Sequence, residues 1–400
     1  MANFTYHTRD KTGEDHNGDI QAADLVTAAA LLRKKGFVII SVKAKSPPAT
    51  KVIDNMLNQV KFSDLVVMTR QLATMVSAGL VLSESIDILE EQQSNKLFKE
   101  ALQDISRNIK GGLTLAQAMG RHPEVFPKLY INLVKSGEAS GKLDQVLLQM
   151  ADGLEKDREF KARIKGALIY PVVVVIMMVA VVIIMMIFVI PRLTSLYSQS
   201  TMELPLPTKI LIATSGAFVN YWWLMLVVAV FGFVGFKRWI KTPDGDYVYS
   251  IFILKVPIIG KLISNVELTN FNRTFGLLTS AGIPLLEAIS IVQDQMQNAV
   301  YRKTLKDGYI GVEKGLSFSS LLTSSVYPKI ISQMVRVGEE TGKVDEIFFK
   351  MADYFESESD HLVKNLTVAI EPIILVVLGV GVAFLVLSII LPIYQLTTSF

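Results

Sequence analysis

Gln71–Ile86 (QLATMVSAGLVLSESI) returns 203 positions later as Thr274–Ile289 (TFGLLTSAGIPLLEAI), and the reading of this pair decides the fold. Arg70, Gly79 and Glu84 recur as Arg273, Gly282 and Glu287, and Gly112 recurs as Gly315. After a slip of two residues the offset becomes 201. It then aligns Pro127 with Pro328, Gly137–Asp144 (GEASGKLD) with Gly338–Asp345 (GEETGKVD), Pro171 with Pro372 and Pro191 with Pro392. Solenoid repeats have periods of about 20 to 50 residues, so this spacing marks a duplicated domain.

Half of the 400 residues are apolar, an excess concentrated in three runs. Gly166–Pro191, Ile210–Phe236 and Pro372–Phe400 contain no charged residue. About 20 apolar residues cross a bilayer core of about 30 Å, so each run predicts a membrane span. Trp222 and Trp223 near one end of the middle run, and Trp239 just past the other, are the aromatic marks of two interfaces.

Basic residues predict the orientation. Lys156, Arg158, Lys161, Arg163 and Lys165 precede the first run, and Lys237, Arg238 and Lys241 follow the second, whereas Arg192 and Lys209 alone lie between them. Lys350 and Lys364 precede the third run, and nothing basic follows it. The positive-inside rule then puts the N-terminus and both polar domains in the cytoplasm, with the 192–209 loop and the C-terminus outside. Residues 1–20 are polar, which predicts no cleavable signal. The absence of cysteine excludes disulfides and thiolate chemistry, and a net charge of +3 argues against nucleic acid as the main partner.

The predicted fold class is mainly α: a polytopic membrane protein with two homologous helical-bundle cytoplasmic domains, three transmembrane helices and a small N-terminal α/β module. In the module (1–45), residues 3–8 alternate as a strand, Gly13 and Asn17-Gly18 signal turns, Ala22–Lys35 reads as a helix and Phe37–Val42 as a second strand. Residues 46–61, with Ser46-Pro47-Pro48, form a linker. The first bundle occupies 62–165, the spans 166–191, 210–236 and 370–393, and the second bundle 265–365. The 237–264 connector carries a short apolar piece beside a basic flank and suits the interface plane or a loop packed on the adjacent domain. In the first bundle, Phe62–Ala78 and Ser83–Glu91 read as helices, with Gly79 as a helix stop and Ser83 and Thr114 as N-caps. Further helices run from Pro127 to about Gly137 and from Leu143 into the membrane.

Gly137-Glu-Ala-Ser-Gly141-Lys142 superficially suggests a phosphate loop. That chemistry needs four residues between the glycines, a hydroxyl residue after the lysine and a preceding strand, all of which are missing. The element reads as a turn between helices, with Gly137 and Gly338 reversing the chain, Gly141 and Gly342 left-handed, and Glu138, Glu339 and Asp144 capping the following helix. A docking edge for a partner is the functional alternative. His7, His16, His122 and His361 read as surface or turn residues without metal or catalytic spacing. Asp152, Glu155 and Asp157, with Asp353, Glu356 and Glu358, read as a solvated acidic face in preference to a cation site. No metal or cofactor is expected. Pro171 and Pro372 are expected in the tolerant first turn of their spans, and Pro191 and Pro392 at the exits. Glu371, the last charge before the third span, suits either the headgroup layer or pairing with a cation of a membrane partner.

The duplicated Gly-Glu-x-x-Gly-Lys-x-Asp elements, the run Arg163–Pro171 (RIKGALIYP) and Ile370-Glu371-Pro372 resemble the type II secretion system F family. The resemblance extends over nearly the whole chain. It implies a non-enzymatic inner-membrane platform with two six-helix cytoplasmic bundles. Its implied partners are a hexameric assembly ATPase, pilin or pseudopilin subunits, other inner-membrane assembly proteins, the lipid bilayer and further copies of itself. By the same resemblance Gly137, Glu138, Gly141, Gly338, Glu339 and Gly342 match the family motif and become candidate contact residues with Glu371, while Pro171 and Pro372 match its span-start signature. Tyr170 stands where the second copy has Glu371, so the halves are expected to meet different neighbours. The competing function is a membrane transporter or channel component, which would place polar residues or broken helices near the midplane.

Overall fold

The computed structural model describes residues 2–9, 15–22, 27, 31–32, 38–44, 59–192, 206–323 and 326–398. They belong to two compact units, Met1–Lys61 with Gln93–Glu100, and Phe62–Gln92 with Ala101–Phe400.

In the first unit β1 (Ala2–Arg9), β2 (Asp15–Ala22) and β3 (Val38–Ala44) form an antiparallel sheet in the order β2-β1-β3. A bulge between His7 and Thr8 shifts the register against β3. Asn17 and Gly18, expected in a turn, lie inside β2 opposite His7 and Tyr6. His7 and His16 are likewise strand residues. Pairing along β1 overrides the local turn preference of Asn-Gly. The helix expected over Ala22–Lys35 and the linker over 46–58 lie largely or wholly outside the described residues.

The second unit is helical. Its first half contains α1 (Phe62–Ser77), α2 (Leu82–Gln92), the greater part of α3 (Lys96–Lys110), α4 (Leu115–Met119), α5 (Lys128–Ser140) and α6 (Leu143–Ile184). After α7 (Leu206–Ile240) and α8 (Pro243–Lys255), the scheme repeats as α9 (Ile259–Ser280), α10 (Leu285–Gln295), α11 (Ala299–Glu313), α12 (Phe318–Leu321), α13 (Lys329–Thr341) and α14 (Val344–Thr398). Among the described residues six glycines have positive φ, and they form three equivalent pairs: Gly79 and Gly282, Gly112 and Gly315, Gly141 and Gly342. Each stands just after a helix, where the αL conformation suits glycine. Thr114 caps α4 through a capping box with Gln117. Ser83, expected as a cap, lies within the first turn of α2, whose hydrogen bonding already begins at the Val81 carbonyl.

The two cores fill the same space with different chemistry. Met68, Leu72, Leu115 and Leu147 are buried in the first bundle, and their counterparts Phe271, Phe275, Phe318 and Phe348 are buried in the second. The phenylalanines form one cluster, with Phe275 and Phe348 stacked 5.0 Å apart and Phe275–Phe318 also at 5.0 Å. Patterning therefore holds the fold while the side-chain shapes diverge.

Among the described residues three helices are long and apolar enough to cross a membrane: Leu143–Arg192, Thr208–Ile240 and Val344–Ser388. Val172, Ile176, Phe231 and Val376, among many others, are exposed along them, which excludes a buried soluble core. Pro171 and Pro372 are not in first turns as expected. Both lie deep inside α6 and α14, because the helices of the bundles continue into the apolar runs without interruption. A π-helical turn at Met185–Val189 precedes Pro191, and Ser215 of α7 donates its hydroxyl to the Met186 carbonyl at 2.5 Å. Thr208 likewise donates to the Ser388 carbonyl at 2.8 Å, so α7 is hydrogen-bonded to both other apolar helices.

Candidate functional site

The Gly-Glu-x-x-Gly-Lys element forms the corner between α5 and α6, and again between α13 and α14. Gly141 ends α5 with φ 68°, and the Lys142 and Gly141 amides donate to the Gly137 and Glu138 carbonyls at 2.9 and 3.2 Å, a Schellman closure. Gly342 is left-handed in the same way at φ 71°, with the Lys343 and Gly342 amides both donating to the Gly338 carbonyl. Gly137 and Gly338 do not reverse the chain. They are buried inside their helices, and a Cβ on Gly137 would stand 3.1 Å from both Leu143 Cα and Val146 Cβ. The absence of a side chain lets the two helices approach closely at the corner.

Glu138 and Glu339 do not cap the following helices either. Glu138 reaches back to α4, accepting from the Leu115 and Ala116 amides at 2.5 and 3.0 Å. Glu339 accepts from the Phe318 amide at 3.0 Å and from the Ser319 hydroxyl at 2.6 Å. Each carboxylate satisfies free donors at the positive end of a short helix. Asp144 does lie in the first turn of α6.

The acidic stretches are engaged by the arginines that opened the repeat. Arg70 grips Glu155 with two bonds of 2.8 and 2.6 Å and also pairs with Asp152. The guanidinium holds the Glu155 carboxyl below its ordinary range and is itself pushed up, chiefly by Glu155. In the second copy Arg273 pairs with Glu356, the counterpart of Glu155. The first bundle reaches the same stretch: Lys156 bonds Asp353 at 3.1 Å, and Arg163 pairs with Glu356 and with Asp360 at 3.4 Å. The second copy thus keeps the internal arginine pair and adds bonds that bridge the two bundles. Ser136 adds a 2.6 Å bond to the Ala281 carbonyl, and Gly153 leaves just enough room for Leu277.

Between the bundles lies a cavity of about 300 Å³ lined by Leu65, Leu133, Met150, Asp157, Lys161 and Arg273, among others. Arg273 Nη1 and Asp157 Oδ1 are buried there without a hydrogen-bond partner. Elsewhere in the second bundle Glu267 is buried and accepts from the Asn298 amide at 2.9 Å, and burial raises its pKa. Among the described residues there is no cluster of metal-ligating side chains. His122 sits 3.1 Å from Asp104 and 3.2 Å from Glu124, and His361 is exposed on α14. Glu371 and Pro372 are exposed on α14, whereas Pro171 is buried beside exposed Tyr170. The proposed asymmetry at this position is therefore one of surroundings as well as sequence.

A family profile described as type II secretion system (T2SS), protein F, matches residues 68–191 and 271–392, and one for the N-terminal domain of that protein matches residues 1–43. The chain is 34% identical over 400 residues to the type IV pilus assembly protein PilC of Thermus thermophilus, covering 99% of this chain and 98% of the relative. Against PilC of Pseudomonas aeruginosa it is 35% identical over 374 residues, 92% and 98% of the two chains. Against the type II secretion system protein F of Xanthomonas campestris it is 30% identical over 405 residues, the whole of both.

Proposed function

The chain belongs to the type II secretion system protein F family, and from that premise we propose that it is the inner-membrane platform of a type IV pilus or type II secretion assembly machine. In this reading it couples a cytoplasmic assembly ATPase to the extraction and polymerisation of pilin or pseudopilin subunits, acting with copies of itself and other inner-membrane proteins. The ATPase hydrolyses the nucleotide, and this chain transmits its motion. The observation that carries the reading is the continuity of α6 and α14, each of which runs from a bundle into an apolar segment as a single helix. A helix shared between a polar domain and the bilayer couples motion in one to position in the other.

The basic flanks of the spans support an orientation with the bundles in the cytoplasm. The corners that carry Glu138 and Glu339 are the proposed docking edges. Because both carboxylates are engaged in capping, their exposed neighbours Ala139 and Glu340 are the positions to probe. Photoreactive residues at 139 and 340 are expected to capture the assembly ATPase in cells, and residues at 176 and 377 in the apolar helices are expected to capture pilin-like subunits. Capture of neither by a correctly inserted, functional protein would overturn the coupling role.

A further inference from the structure

The segment after α7 exposes the residues that a helix in water would bury. Thr242 caps α8 by accepting from the Gly245 amide at 3.2 Å, and Pro243 starts it. Asp246 and Ser250, one turn apart, face the second bundle: Arg302 donates to Asp246 at 3.1 Å and the Ala299 amide to Ser250 Oγ at 3.0 Å. Val248 and Phe252, also one turn apart, point away from it, and Phe252 is 67% exposed. Asp246 and Ser250 are thus on the packed side, and Val248 and Phe252 on the open side.

The chain then makes a strained corner that extends this surface. Ile258 has φ 67° and ψ −55°, the only positive φ of a non-glycine residue among the described residues, and the Ile259 amide donates to the Pro257 carbonyl at 2.8 Å. This is the rarer, strained form of the γ-turn, adopted here by a β-branched residue. The corner leaves both Ile258 and Ile259 exposed. Strain held in order to present two isoleucines outward is the observation that calls for an occupant.

The position of α8 identifies that occupant. Tyr249 meets Phe236 edge to face with centroids 6.1 Å apart, and Phe236 is the last residue of the charge-free run of α7. α8 therefore lies at the level where the apolar helix ends. Lys237, Arg238, Lys241, Lys255 and Lys261 stand in and beside it in the sequence, cations suited to anionic headgroups. We propose that Val248, Phe252, Ile258 and Ile259 form a shoulder that is seated in the headgroup and acyl boundary of the bilayer leaflet at this end of α7. The second bundle is thereby fixed to the membrane surface independently of its own apolar helix.

The chain contains no cysteine, so single labels can be placed cleanly. Phe252→Cys and Ile259→Cys, spin-labelled in the full chain, are reconstituted in phosphatidylcholine and phosphatidylglycerol at roughly three to one. Accessibility to oxygen and to a water-soluble nickel chelate is then read, with Ile176→Cys as the lipid control and Ile310→Cys as the water control. The expected result is an oxygen-to-nickel ratio several-fold above that at 310 and approaching that at 176. A ratio equal to that at 310 overturns the proposal. So does shielding from both reagents, which would mean that protein covers the shoulder. Val248→Cys, on the same face, gives the same reading if Phe252→Cys is not recovered.

Discussion

Glu138 of α5 closes the N-terminus of α4 by accepting from Leu115 and Ala116, and Glu339 does the same for α12 at Phe318. The conserved geometry of the two copies makes both carboxylates structural before they are anything else. Glu138→Ala leaves two helix-terminal amides unanswered and is expected to destabilise by about 1–3 kcal/mol, with Glu138→Gln losing less because one acceptor oxygen remains. Thermal unfolding in detergent measures both. An assembly defect in a Glu138→Ala chain of unchanged stability would instead locate the residue's role in partner contact.

Two glycines of the same corner are expected to fail differently. Gly137→Ala drives a methyl into Leu143 and Val146, an overpacking cost of about 1–3 kcal/mol. Gly141→Ala meets nothing within 4 Å and is expected to cost about 1–2 kcal/mol from its left-handed backbone alone. Val146→Ala keeps its Cβ and leaves the Leu143 backbone in place, so it should rescue neither variant, as unfolding of the double variants would reveal.

The ion pairs between the bundles and within the second bundle are graded by burial. Lys156 and Asp353 are both more than half exposed, so a double-mutant cycle is expected to give at most about 1 kcal/mol. Arg273, with a side chain 6% exposed, is different: Glu356→Gln is expected to cost about 3–5 kcal/mol by leaving a buried guanidinium uncompensated. Amide exchange should show both bundles loosening along α6 and α9 in the Glu356 variant only.

Acid titration should separate two carboxylates of opposite sign. The folded pKa of Glu155 is depressed by Arg70, so its stabilisation is complete above the unfolded value of 4.5 and is lost as pH falls through the folded value. The folded pKa of Glu267 is raised by burial, so its contribution is complete below 4.5 and is lost as pH rises through the folded value. Glu267→Gln is accordingly expected to raise the melting temperature at pH 7 and to have no effect near pH 4. Arg70→Ala should show the reverse, with its penalty fading in acid.

The repeat, the three apolar helices and the helix stops at Gly79 and Gly282 were legible in the sequence because each depends on local composition or self-similarity. Thr114 was legible for the same reason, as a cap reads only three residues ahead. Gly137 was misread because a helix-interior glycine and a turn glycine look alike until the neighbouring helix is placed. The partners of Arg70 and Arg273 were out of reach as well. They lie more than eighty positions away, and the bonds that Lys156 and Arg163 make to Asp353 and Glu356 cross between copies that repetition alone presents as independent. β2 was missed because its pairing with β1 outweighs the turn-forming Asn17-Gly18.

The unbroken course of α6 and α14 has a mechanical consequence. At a rise of 1.5 Å per residue, the 42 residues of α6 span about 63 Å and the 55 of α14 about 82 Å. Each is a lever with one arm in a bundle and the other in an apolar run. Tilting the bundle end of α6 by about 5° swings its far end by about 5 Å, the height of one helical turn. Two such levers clasped together by Lys156, Arg163 and Asp353 would swing as a pair, converting a slight tilt at the bundle end into a displacement of about one helical turn at the far end.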